Sequence, residues 1–158
     1  MHYSNNQSGF TIIELMLTIV VAALLIGIGV PSMRNMLQTQ DVKTAASDLH
    51  LAMMYTRSEA IKRRLDVDID PKTTNWAGGW EIKATGVANA LRDQEPLTGL
   101  TVDVSYPVTV PAGTPITFNK LGRLSSEQPS FTVYVSGNNA VRMRCITLSL
   151  SGRPTITT

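Results

Sequence analysis

An apolar segment with a single charge constrains this chain more than any other feature. It runs from Phe10 to Val30, and Glu14 is its only charged residue. A helix needs about 20 mostly apolar residues to cross the hydrocarbon core of a bilayer, so the segment predicts a transmembrane helix. Inserting a helix into a bilayer costs free energy when the helix carries a carboxylate that has no partner. We therefore expect the carboxylate of Glu14 to have a functional role.

The residues around this segment do not fit a cleaved secretory signal. Such a signal has a basic start, an apolar core of about 7–15 residues and a small-residue cleavage site after the core. Here no Lys or Arg precedes the segment, and Pro31-Ser32-Met33 follows it. Cleavage between Gly9 and Phe10 would instead leave the apolar segment on the mature chain, with a free amine four residues from Glu14.

The stretch Gly9-Phe10-Thr11-Ile12-Ile13-Glu14-Leu15 resembles the processing site of type IV pilins and type II secretion pseudopilins. The resemblance implies that a prepilin peptidase cuts after Gly9 and methylates Phe10. It also implies that Glu14 neutralises the Phe10 amine of the next subunit in a fibre, and that Pro31 bends the helix at the bilayer surface. The leader Met1–Ser8 lacks the basic residues usual in pilins, so an inside N-terminus rests on the resemblance alone.

A second helical pattern follows Pro31 and predicts an amphipathic continuation that ends near Arg64. Its apolar or small residues recur in steps of three and four, at Val42, Ala45, Ala46, Leu49, Ala52, Met53, Thr56 and Ala60. The opposite face is predicted to carry Lys43, Asp48, Arg57, Glu59 and Lys62.

The rest of the chain predicts antiparallel strands separated by turns. Alternation over Leu65–Asp70 closes at Pro71, and Gly137-Asn138-Asn139 reads as a hairpin loop. The other predicted strands are Gly79–Ala84, Leu100–Ser105, Ile116–Asn119, Phe131–Ser136, Val141–Leu150 and Pro154–Thr157.

Several segments in order resemble the FimT/GspH branch of minor pilins and pseudopilins. They are Arg57–Arg63, Trp76–Trp80, Ile116-Thr117-Phe118 with Gly122-Arg123, and Arg144-Cys145-Ile146 with Ser151-Gly152-Arg153. The resemblance implies an α+β, pilin-like fold in which a long N-terminal helix, transmembrane then amphipathic, packs on an antiparallel β-sheet head. The expected divisions are a prepilin leader (1–9), a transmembrane segment (10–31), an amphipathic continuation (32–64) and a β-rich head (65–158).

Basic residues concentrate in the last quarter of a chain whose net charge is only +2. They are Lys120, Arg123, Arg142, Arg144 and Arg153, against the single acid Glu127. Arg142 and Arg144 alternate and are predicted to share a strand face. Guanidinium groups placed in this way can grip phosphates. In FimT relatives from competent bacteria a C-terminal G-R-x-R motif binds DNA, and here Gly152-Arg153-Pro154-Thr155 keeps its first half. The alternative is a solvated basic edge that discourages strand pairing.

Other candidate sites have simpler interpretations. The alternation of Asp66, Asp68 and Asp70 suggests calcium, but the EF-hand glycine and glutamate are missing, so a solvated acidic face is predicted. His2 and His50 stand alone, and no catalytic set or cofactor motif is present, so no metal, cofactor or enzyme activity is expected. Three further residues are interpreted as packing residues: Trp76, Trp80 and the lone Cys145.

Together these features predict a minor type IV pilin that supports pilus assembly and sequence-independent binding of double-stranded DNA for natural transformation. Expected partners are other major and minor pilins, the prepilin peptidase and the inner-membrane assembly platform. The chain would cross the inner membrane of a Gram-negative bacterium once, with a periplasmic head, and then join a surface pilus. One alternative is a GspH-like pseudopilin of type II secretion. Another is a membrane-tethered periplasmic binding or enzyme domain.

Overall fold

A computed structural model of the protein describes residues 9–125 and 127–157, so all of the predicted leader except Gly9 lies outside the described residues. The chain divides after Leu37 into an N-terminal unit and a second unit, here called the head. The elements are α1 (Ile12–Arg63), β1 (Val67–Pro71), β2 (Trp80–Ala84), β3 (Arg92–Asp93), β4 (Thr101–Ser105), β5 (Ile116–Phe118), β6 (Ser130–Tyr134), β7 (Arg144–Leu148) and β8 (Pro154–Thr157).

The N-terminal unit is exposed throughout its described residues, except for the half-buried Asn35. An 18-residue window of α1 near the N-terminus has a mean hydropathy of 2.6 and no buried residue, and it is long and apolar enough to cross a membrane. Pro31 lies within α1. Because proline has no N–H, it cannot donate the helical hydrogen bond to the carbonyl four residues earlier.

The head part of α1 buries one stripe of side chains, and all eight positions predicted from the periodicity are buried. Glu59 was predicted to face solvent, and this was wrong. Its side chain is buried because Arg63 donates to it at 2.6 Å and Lys62 lies 3.5 Å away. The helix ends at Arg63, and Arg64 takes a positive φ of 55° that turns the chain towards β1.

Two four-stranded antiparallel sheets make up the rest of the head. One has the order β3-β2-β1-β5 and the other the order β4-β6-β7-β8. The predicted α+β architecture is therefore confirmed, as is the Gly137-Asn138-Asn139 hairpin loop between β6 and β7. The two-residue β3 was not predicted, because Arg92 and Asp93 carry no strand preference.

Both tryptophans pack in the core of the head, as predicted. Trp76 is 2% exposed and Trp80 is 1% exposed. The Trp76 ring meets the Phe131 ring edge to face, with centroids 4.9 Å apart. Cys145 lies in β7 but is half-buried, with its sulfur 3.9 Å from the Thr132 hydroxyl. Cys145 was predicted to be a buried packing residue, and this was wrong because it shares a strand face with the exposed Thr147.

Candidate functional site

Glu14 forms a capping box with Thr11 at the start of α1. The Glu14 carboxylate accepts hydrogen bonds from the Thr11 backbone N–H at 3.0 Å and from the Thr11 hydroxyl at 2.9 Å. In return, the Thr11 hydroxyl accepts from the Glu14 backbone N–H at 3.3 Å. This reciprocal pattern satisfies donors that a helix start would otherwise leave unpaired.

This capping role of Glu14 was not predicted. The signal was present as Thr11-Ile12-Ile13-Glu14, a threonine with glutamate three residues later. Both side chains are exposed, so the carboxylate is also open to a partner from another chain. The capping role is a second explanation for a charge in this position, beside pairing with the Phe10 amine of another subunit. An experiment on Glu14 must distinguish these two roles.

Two glycine turns bring Arg123 and Arg153 together at one end of the head. Gly122 and Gly152 both have positive φ values, 71° and 74°. A Cβ built on Gly152 would lie only 2.2 Å from the Gly122 carbonyl oxygen, so the two turns are in direct contact. Each glycine is followed by an arginine, and both arginines are exposed. Contact between the turns therefore places these two cations on one surface.

Arg57 of α1 joins the same end of the head. Its Nε donates to the Gly122 carbonyl at 3.0 Å, which ties the turn to the helix. Arg57 and Arg153 also line a cavity of about 530 Å³ between α1 and the start of β8. We call Arg57, Lys120, Arg123 and Arg153 the distal cluster; sequence reasoning did not include Arg57, since it lies far away in the sequence.

Arg142 and Arg144 lie at the opposite end of the head. The loop that carries Arg142 is held there by Asn138, whose side-chain amide donates to the Gln38 side chain at 2.6 Å. Arg144 lines a second cavity with Lys43, Ser47 and Ile156 among its other lining residues. We call Lys43, Arg142 and Arg144 the proximal cluster. Lys43 was not predicted as part of any site.

The prediction that Arg142 and Arg144 share a strand face was wrong. β7 begins only at Arg144, and Arg142 and Met143 are both exposed in the preceding loop. Arg144 instead shares the inward face of β7 with Ile146 and Leu148. The alternation in the sequence misled because the hairpin loop extends further than its glycine and asparagines indicate.

The predicted phosphate-binding residues therefore form two groups. Lys43 and Arg57 are separated by about 21 Å along α1, at about 1.5 Å per residue. Among residues 9–125 and 127–157, no carboxylate lies within 4.0 Å of any cation in the two clusters. Both ends of the head thus carry unpaired positive charge.

The two acidic residues of β1 interact with neighbouring strands of their own sheet. Asp68 accepts a hydrogen bond from the Thr117 hydroxyl at 2.6 Å. Burial, and then the nearby charge of Glu81, raise the pKa of Asp70 above its ordinary value. Within the described residues, no three metal-ligating side chains come together. The arrangement gives no support to a calcium site.

An exposed apolar helix attached to an antiparallel head defines the class of this protein as a pilin-like subunit. The family model for type II transport protein GspH matches residues 45–152, and the prokaryotic N-terminal methylation motif matches residues 4–30. The chain therefore belongs to the GspH family of minor pilins and pseudopilins, which are structural subunits. Comparison with curated protein sequences returns no significant match.

Solved structures of minor pilins and pseudopilins share this fold. The type IV minor pilin FimU of Pseudomonas aeruginosa is 25% identical, with a TM-score of 0.63 over 75% of this chain and 90% of that one. A second crystal form of FimU gives 26% identity and a TM-score of 0.60, over 73% and 92% of the two chains. The minor pseudopilin EpsH of Vibrio cholerae is 13% identical, with a TM-score of 0.57 over 74% and 96%. The family and the apolar helix indicate a membrane-anchored component that assembles with other pilins or pseudopilins.

Proposed function

We propose that this chain is a minor subunit of a type IV pilus. It is made as a prepilin and cut by the prepilin peptidase between Gly9 and Phe10, and Phe10 is then methylated. Residues 10–31 hold it in the inner membrane with the head in the periplasm, until the assembly platform inserts it among other pilins. The observation that carries this proposal is an unburied apolar helix directly after the processing-site sequence.

Glu14 has a defined role in this proposal. In a fibre its carboxylate pairs with the Phe10 amine of a neighbouring subunit, where a lone buried charge would be unfavourable. The capping box supplies the competing explanation, because Glu14 also accepts from Thr11 within its own chain. A charge-removing variant and a cap-removing variant distinguish the two roles.

The test measures incorporation into pili sheared from cells, against the amount of chain in the membrane. Glu14→Gln keeps an oxygen that accepts from Thr11 but removes the charge, whereas Thr11→Ala removes the capping hydroxyl and keeps the charge. We expect Glu14→Gln and Glu14→Val to insert normally but to be depleted from pili, and Thr11→Ala to assemble. Normal incorporation of Glu14→Gln would reject the pairing role.

The comparison with solved structures favours a pilus over a secretion pseudopilus. FimU, a type IV minor pilin, resembles the chain more in sequence and fold than the pseudopilin EpsH does. A GspH-like pseudopilin remains the alternative, and the matching family model carries the name of a type II transport protein. Deletion of the gene should abolish piliation and twitching under the proposal, whereas loss of protein secretion alone would favour the alternative. Processing that does not need the prepilin peptidase would favour a tethered periplasmic domain.

The distal cluster is the part of the head that we assign to DNA. Lys120, Arg123 and Arg153 are exposed, and none is paired with an acid among the described residues. Cations that contact phosphates bind DNA in a salt-dependent manner without reading its sequence. Arg142 and Arg144, which were also predicted to bind DNA, lie at the other end of the head and serve as the matched comparison.

A gel shift of double-stranded DNA by the purified chain tests this assignment. Arg123→Gln with Arg153→Gln should weaken the shift and reduce the salt slope by about 1.8, which is about 0.9 for each lost phosphate contact. Arg142→Gln with Arg144→Gln removes the same charge and should leave the shift unchanged. Absence of any shift at low salt would contradict DNA binding. In that case Arg153, beside Pro154 of the edge strand β8, would serve to discourage pairing of this strand with other chains.

A further inference from the structure

Met143 is an exposed apolar side chain flanked by two cations. It is 54% exposed and lies in the loop between Arg142 and Arg144. The same loop borders an open cavity of about 500 Å³, lined among others by Val141, Arg142 and Met143. An apolar residue framed by basic residues is the composition of segments that sit at a lipid–water interface.

The charge at this end of the head has no internal partner among the described residues. Lys43 and Arg144 line a common cavity, so they add to the positive charge of Arg142. The two acids on this part of the helix, Asp41 and Asp48, line a different cavity with the loop around Pro96 and Leu97. The proximal surface therefore presents positive charge and is complementary to an anionic surface.

The position of this surface in the chain points to the identity of that partner. The loop is bonded to Gln38 through Asn138. Only residues 31–37 separate Gln38 from the apolar segment that ends at Val30. Even a fully extended chain would span no more than about 29 Å over these eight steps. Gln38 therefore cannot lie more than about 29 Å from the end of the apolar segment, so a bilayer that holds this segment is within reach of the proximal surface.

We infer that the proximal cluster docks the head on anionic lipid headgroups while the subunit waits in the membrane before assembly. This inference rests on the proposed membrane anchoring. Lys43, Arg142 and Arg144 would meet lipid phosphates, and Met143 would enter the interface between them. Entry into a pilus would then exchange these headgroup contacts for contacts with neighbouring subunits.

The distal end of the head supplies a matched control for this surface. Leu121 is also an exposed apolar residue, at 69%, and it lies between Lys120 and Arg123. Its turn packs on Ile61, because a Cβ on Gly122 would lie 2.6 Å from the Ile61 Cδ1. Gln38 and Ile61 are about 35 Å apart along α1, so the two apolar–basic loops lie at opposite ends.

The experiment uses the full chain reconstituted in vesicles, in a Cys145→Ser background. A fluorophore is attached to one cysteine, introduced as Met143→Cys, Leu121→Cys or Leu24→Cys, and lipids with a headgroup-level nitroxide quench it. Vesicles contain phosphatidylcholine alone or with phosphatidylglycerol. We expect quenching at position 143 to rise at least about twofold with the anionic lipid, and to fall when Arg142→Gln and Arg144→Gln are added. Position 121 should be quenched little in either lipid.

The Leu24→Cys probe separates failure of this inference from failure of the anchoring proposal. Quenching at position 24 by nitroxides placed deeper in the bilayer reports insertion of the apolar segment. Insertion with equal quenching at positions 143 and 121, or with no response to anionic lipid, would overturn headgroup docking alone. No insertion would overturn both. Loss of DNA binding by Arg142→Gln with Arg144→Gln, without quenching at 143, would assign the proximal cluster to DNA and overturn the inference.

Discussion

The two halves of α1 differ completely in what they bury. Residues 12–37 are apolar on all sides over most of their length and bury no side chain in the described chain. Residues 38–63 carry one apolar stripe and bury it against the sheets. A helix that is apolar all round must be covered by lipid or by other helices, whereas an amphipathic one is covered by its own domain. Within the described residues nothing covers the first half, which agrees with the proposed membrane anchoring.

The largest expected change in stability comes from a substitution that creates a cavity beside the second half of α1. Leu49 is completely buried, so Leu49→Ala should lower the free energy of unfolding of the head by about 2–5 kcal/mol. Leu24 is 64% exposed in the first half, and Leu24→Ala should leave that free energy unchanged. Denaturant unfolding in detergent, followed by the fluorescence of the buried Trp76 and Trp80, measures both. Equal losses would mean that the first half contributes to the fold of the head.

Glycine substitutions test the same difference between regions, with a smaller expected change in the free energy of unfolding. Gly152→Ala would place a methyl group 2.2 Å from the Gly122 carbonyl oxygen at a positive φ, and should cost about 1–3 kcal/mol. Gly86 also has a positive φ but nothing within 4 Å, so Gly86→Ala should cost only about 1 kcal/mol of backbone strain.

Gly27→Ala extends this series to the first half of α1. Gly27 has no neighbour within 4 Å and lies inside the helix, so the substitution should not lower the stability of the head. The same denaturation experiment ranks the three variants. A ranking in which Gly152→Ala is as mild as Gly86→Ala would contradict direct contact between the two glycine turns of the distal cluster.

The two acids Glu14 and Glu59 of α1 give the smallest expected effect. The Arg63 guanidinium donates to Glu59 and lowers its pKa below the ordinary value, although burial acts in the opposite direction. A lowered pKa in the folded state stabilises the head above the unfolded pKa of about 4.3, and this contribution is lost as the pH falls further. Glu59→Gln should therefore cost about 0.5–1 kcal/mol at neutral pH and little in acid.

Glu14→Gln is the matched variant for that comparison. Glu14 is exposed in the first half of α1, so its charge should not contribute to unfolding of the head at any pH. Denaturation midpoints at pH 7 and pH 3.5 compare the two variants. A pH-dependent loss in Glu14→Gln that matched Glu59→Gln would show that the two halves share one folding unit.

Local patterns predicted most of the fold, because periodicity reports which face of an element is covered. The buried stripe of α1 and the alternation of β1 both follow from residue spacing. Two predictions failed where residue spacing carries no information. Glu59 is charged but buried, with Arg63 and Lys62 of the same helix as its ion-pair partners, and Arg142 lies outside its predicted strand because the β6–β7 loop is longer than its turn residues suggest.

The candidate sites differ in whether local sequence or long-range contacts define them. Gly9, Phe10 and Glu14 lie within six consecutive residues, so a linear pattern was enough to predict them as site residues. The distal cluster depends on contact between Gly122 and Gly152 and on a hydrogen bond from Arg57, and no spacing along the sequence encodes those contacts. For this reason the five basic residues were predicted as one group, although they occupy two ends of the head.

The most direct test of the account is the N-terminus of the chain found in surface filaments. Filaments sheared from cells would be purified, and the N-terminal peptide would be identified by mass spectrometry. We expect a chain that begins at methylated Phe10, and we expect it to be absent from filaments of a strain without prepilin peptidase. A chain that keeps Gly9, or that never enters filaments although its gene is expressed, would contradict it.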